Sequence, residues 1–69
     1  MVKVRLVDGR IRHADISASH PAASYGLPVL VDQKDGRAFG PGDVASILSY
    51  HPDDLPGLER GGFIQAGAL

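Results

Sequence analysis

Three histidines, His13, His20 and His51, stand in a chain of 69 residues that has eight acids and no cysteine. Histidine and carboxylate together can ligate zinc, but zinc asks for three or four ligands in fixed geometry, often at short local spacing. No histidine lies within four residues of another, and His51 with Asp53 and Asp54 is the nearest local group. At a helix end the same trio has a plainer use: a cationic imidazole suits the negative pole, and acids suit the start of the next helix. No metal site is expected. Ser19-His20 and Ser49-Tyr50-His51 offer the residue types of nucleophilic catalysis, yet no Gly-x-Ser-x-Gly elbow presents them. Gly40-Pro41-Gly42-Asp43 lacks the Gly-Lys-Ser/Thr of a phosphate loop and puts an acid where phosphate would sit. No catalytic residue and no cofactor are expected. A ligand site at a dimer interface would need His20, Tyr25, Tyr50 and His51 to converge.

The cations are better organised. Residues 1–13 hold Lys3, Arg5, Arg10 and Arg12 against Asp8 alone, while residues 43–69 hold Asp43, Asp53, Asp54 and Glu59 against Arg60 alone. A two-stranded ribbon carrying four cations could enter a major groove from a two-fold dimer. Lys3, Arg5, Arg10 and Arg12 are therefore the candidate contacts for an anion or nucleic acid. A DNA-binding regulator is the alternative function. The competing reading is a strand that keeps its polar face in water.

These residues need elements to hold them. Val2-Lys3-Val4-Arg5-Leu6-Val7 alternates apolar and basic, the period of a half-buried strand. Asp8-Gly9-Arg10 suits a tight turn, and Arg10 to Ile16 forms the return strand. The register stays open between a two-residue turn, pairing Leu6 with Ile11, and a three-residue loop centred on Gly9, pairing Val4 with Ala14. The segment from Ser17 to Gly26 is rich in turn formers. Leu27-Pro28-Val29-Leu30-Val31-Asp32 reads as the central strand. The repeated Asp35-Gly36-Arg37 then turns back through a three-residue loop that sets Val31 opposite Phe39. Asp43 caps a predicted helix at 44–51, with Val44, Ile47, Leu48 and His51 on one face. A second short helix, capped by Asp54, runs to Arg60 and ends at Gly61-Gly62. Ile16 to Pro21 echoes Ile47 to Pro52 in its Ile and His-Pro spacing. With one copy read as strand and the other as helix, the echo is taken as coincidence.

The fold class that follows is α+β: one domain, residues 1–69, with a small antiparallel sheet of two hairpins and one or two short C-terminal helices on one face. A chain of this length buries only ~60% of the surface its unfolded form exposes. Self-association, as a dimer first, is expected to add stability. Tyr25, Phe63, Ile64 and Leu69, in segments of weak secondary-structure demand, are the candidate oligomer contacts. The opening Val2-Lys3-Val4-Arg5 through Gly9-Arg10-Ile11, with the later Pro41-Gly42-Asp43-Val44, faintly resembles swapped-hairpin bacterial transition-state regulators and antitoxins. The central proline-and-arginine segment of that family is replaced here by the long loop. The start carries no apolar signal core and no stretch suits a bilayer. A cytoplasmic, non-enzymatic protein-interaction module with an unidentified protein partner is the leading expectation.

Overall fold

The computed structural model describes residues 1–23 and 26–65. Five strands, β1 (Val2–Leu6), β2 (Ile11–Ser17), β3 (Val29–Asp32), β4 (Ala38–Phe39) and β5 (Val44–Tyr50), form one antiparallel sheet in the order β4-β3-β2-β1-β5. A 3-10 turn at Pro41–Asp43 leads into β5, and another at Pro52–Asp54 runs on into helix α1 (Leu55–Arg60). The α+β class holds, but the sheet is larger than two hairpins and one short helix accompanies it among the described residues.

The main correction is β5, predicted as a helix. Its register explains the misreading. Arg5 pairs with Ser46 and Leu6 with Val44, so Ala45 is an extra residue; Lys3 pairs with Ser49 and Val4 with Ile47, so Leu48 is another. Two bulges stretch the period of two into a spacing of three. Val44, Ile47 and Tyr50 thus stand opposite Leu6, Val4 and Val2, imitating one face of a helix. Tertiary pairing decides the outcome, because β1 would otherwise leave one side of its backbone unbonded. Valine, isoleucine and tyrosine suit a strand, and two serines weaken a helix.

The first hairpin takes neither expected register. Val2 pairs with Ala14, Lys3 with His13, Val4 with Arg12 and Arg5 with Ile11. The loop is Val7-Asp8-Gly9, closed by the Gly9 N–H donating to the Leu6 carbonyl at 2.9 Å and the Leu6 N–H donating to the Arg10 carbonyl at 2.8 Å. Gly9 sits at φ 91°, the left-handed position of a three-residue loop. In the second hairpin Leu30, not Val31, pairs with Phe39, and Val31 pairs with Ala38. The loop is therefore four residues, 33–36. This register puts Phe39 on the side of Leu30 and Ala14, where apolar burial is available; all three are buried.

The sheet curls. Residues 40–43 alone carry the chain from edge strand β4 to the opposite edge β5. A link that is mostly 3-10 spans roughly 13 Å, whereas the outer strands of a flat five-stranded sheet lie about 19 Å apart. Accordingly Leu6 of β1 and Phe39 of β4 line one cleft of about 170 Å³, although β2 and β3 lie between them. Inside the curl Val2, Val4, Leu6, Ala14, Leu30 and Phe39 form the core, with Leu58 of α1 fully buried against them. The helix sits tight on β2: a Cβ on Gly57 would meet Ile16 Cγ2 at 3.0 Å. After α1 the chain folds back, the Phe63 N–H donating to the Leu58 carbonyl at 2.9 Å. No helix among the described residues is long and apolar enough to cross a membrane.

Candidate contact surface

Register decides what the four cations of the first hairpin can do. Strand residues alternate between faces, and Val2, Val4 and Leu6 point into the core. Arg12, opposite Val4, is on that inner side. Its Nε donates to Asp32 Oδ2 at 2.5 Å and its Nη2 to Asp35 Oδ2 at 3.5 Å. Asp32 is only 3% exposed, and its Oδ1 accepts the Lys34 N–H at 2.7 Å. The Arg12 guanidinium holds the Asp32 carboxyl below the usual carboxylate range, against the opposing effect of burial; the Lys34 N–H helps. Asp32 in turn raises Arg12. This pair ties β2 to the β3–β4 turn and is committed to structure.

Arg10 is occupied as well. Its Nε donates to Asp8 Oδ2 at 2.8 Å and its backbone N–H to Asp8 Oδ1 at 3.0 Å. That backbone donor, followed by the guanidinium, lowers the Asp8 carboxyl, while desolvation opposes them. Both side chains are exposed, so the pair adds little to stability.

Lys3 and Arg5 point the other way. They have no ion-pair partner among the described residues. By register they share the outer face of the sheet, opposite the core, with Ser46 and Ser49 on one flank and Ile11 and His13 on the other. Beyond these lie Asp15 and, on β3, Val29 and Val31. Ile11 is 47% exposed and the two valines are half-buried. Asp15 accepts from Gln33 Nε2 at 2.9 Å and lies 3.8 Å from the Met1 amine. Sequence reasoning proposed all four cations as one group; the structure brings Lys3 and Arg5 together and places Arg10 and Arg12 elsewhere. Ile11 was missed, although its position two residues past the turn glycine would mark it once the loop length was known.

The expected oligomer contacts divide differently. Phe63 and Ile64 are partly buried against the core of their own chain. Tyr25 and Leu69 lie outside the described residues. Among the described residues, the serine and histidines weighed for chemistry have local partners. Ser19 Oγ faces Ser17 Oγ at 3.4 Å, not a histidine. The Nδ1 atoms of His20 and His51 each accept a backbone N–H. No three His, Asp or Glu side chains gather as a metal would require among the described residues. A shallow cleft of about 370 Å³ opens beside the Arg12–Asp32 pair, bordered by Ile11, His13, Gln33 and Lys34. No family model, curated protein or solved structure matches this chain.

Proposed function

We propose that this protein is a non-enzymatic contact module whose outer sheet face receives an acidic surface of a protein partner. The observation that carries the reading is the placement of Lys3 and Arg5, free of ion pairs among the described residues, beside the exposed Ile11. Along a strand, residues two apart are separated by about 6.7 Å, a spacing that carboxylates on every second residue of an extended segment can match. Ile11 and the valines supply apolar contact next to the charges. The sheet edges are poorer docking sites, since β4 is two residues long and β5 carries two bulges.

Magnitude favours protein over nucleic acid. The two cations of this face would give one copy a salt slope of only about −1.8, where strong DNA binders neutralise roughly six to ten phosphates. A second copy also fits this face less well than an acidic partner does, because a two-fold contact sets a cationic patch against itself. Poly-L-glutamate and a duplex oligonucleotide, each titrated into labelled protein and followed by amide resonances, test the reading. Poly-L-glutamate is expected to move Lys3, Arg5, Ile11 and His13, and the double variant Lys3→Gln/Arg5→Gln to abolish the response. Shifts confined to other surfaces, or tighter binding to the duplex, overturn it. Self-association, expected from the small size of the chain, is assigned to another surface: a stable dimer in sedimentation whose interface covers Lys3 and Arg5 would overturn the reading and give this face to the second copy.

A further inference from the structure

The two His-Pro steps are built alike. His20 Nδ1 accepts the Ala22 N–H at 3.0 Å, and the His20 carbonyl accepts the Ala23 N–H at 2.8 Å. His51 Nδ1 accepts the Asp53 N–H at 3.1 Å, and the His51 carbonyl accepts the Asp54 N–H at 2.8 Å. β5 runs up to His51 while β2 ends at Ser17, so what the two copies of the sequence echo share is the His-Pro turn itself. Proline has no N–H, which makes the next residue the first free donor of the turn. The imidazole fills the capping place more often held by Asn, Asp or Ser.

Unlike those residues, an imidazole accepts at Nδ1 only when neutral, with its proton on Nε2. Taking up a proton puts an N–H at Nδ1, directed at another N–H, and the cap is lost. The two turns then diverge. Asp53 Oδ2 lies 3.5 Å from His51 Nδ1, so a charged His51 exchanges the Asp53 amide for the carboxylate of the same residue. Asp54, on that turn, is held by the Met1 amine at 3.2 Å. His20 has no carboxylate within ion-pair distance among the described residues.

We propose that the turn from His20 to Ala23 is a latch released by proton uptake, while the turn from His51 to Asp54 is its acid-tolerant counterpart. The test is NMR of the intact chain between pH 8 and 5. Imidazole nitrogen shifts are expected to show the Nε2–H tautomer in both histidines at the upper end. On acidification, protection of the Ala22 and Ala23 amides, normalised for intrinsic exchange, falls about fivefold, the ratio an ordinary cap sustains. The Asp54 amide keeps its protection. His20→Asn, which accepts the same N–H without titrating, removes the response at Ala22 and Ala23. Asp53→Asn makes Asp54 respond as Ala23 does. An Nδ1–H tautomer at His20 in the wild-type protein overturns the proposal, whatever the variants do. So do Ala22 and Ala23 amides that ignore the imidazole titration, or a loss of protection at Asp54 equal to that at Ala23 in wild-type protein.

Discussion

The two Asp-Gly-Arg turns share a sequence and a local geometry but differ in what they hold. In each, the aspartate Oδ1 accepts the arginine backbone N–H, at 3.0 Å in the first and 2.9 Å in the second, around a glycine at φ 91° or 75°. Beyond that bond they part. The first closes a three-residue loop and keeps its charges to itself, Arg10 folding onto Asp8. The second closes a four-residue loop; Asp35 is approached by Arg12 from the other hairpin, and Arg37 has no ion-pair partner among the described residues. A tripeptide specifies its own backbone bond, whereas the partners of its side chains are chosen by the register of the strands around it.

The comparison can be broken at the neighbour that ties the second turn down. Asp32→Ala removes the Arg12 partner and the acceptor for the Lys34 N–H, and is expected to cost roughly 1–3 kcal/mol in urea denaturation. Asp8→Ala should leave the midpoint near wild type, because its ion pair is exposed. Equal losses would show that both turns are equally self-contained. The glycines supply the control. Nothing lies within 4 Å of a Cβ added at Gly9 or Gly36, so Gly9→Ala and Gly36→Ala should each cost about 1 kcal/mol from the left-handed backbone alone. Values differing by more than that would place a hidden contact in one turn.

Acid supplies the subtlest separation. The folded-state carboxyl of Asp32 is lowered, so its contribution is complete above the ordinary carboxylate value of about 3.9 and is lost as pH falls through the lower, folded value. Asp32→Asn should flatten stability across that interval relative to wild type, and Asp8→Asn should flatten it far less. Identical acid profiles for the two variants would contradict the assignment of Asp32 as the structurally committed carboxylate.

Much of this fold was legible in the chain. The alternation of Val2, Val4 and Leu6, both turn glycines and the terminal helix each follow from short-range chemistry. Hairpin register was not, since Asp-Gly-Arg serves loops of three and four residues alike. β5 was hidden because Ala45 and Leu48, as bulges, give a strand the spacing of a helix. The contact face was half legible. Lys3 and Arg5 follow from alternation, but removing Arg10 and Arg12 from the group required knowing that Arg12 falls opposite Val4 and reaches Asp32. The tail was read as seeking a neighbour, and Phe63 and Ile64 find one in the core beside Leu58.

The pairing of Val2 with Tyr50 has a kinetic consequence. β1 meets β2 across a short turn, yet its other flank waits for a strand from far along the chain, and contacts so distant in sequence form slowly because loop closure must come first. The two hairpins should therefore assemble early, and capture of β5 should set the pace of folding.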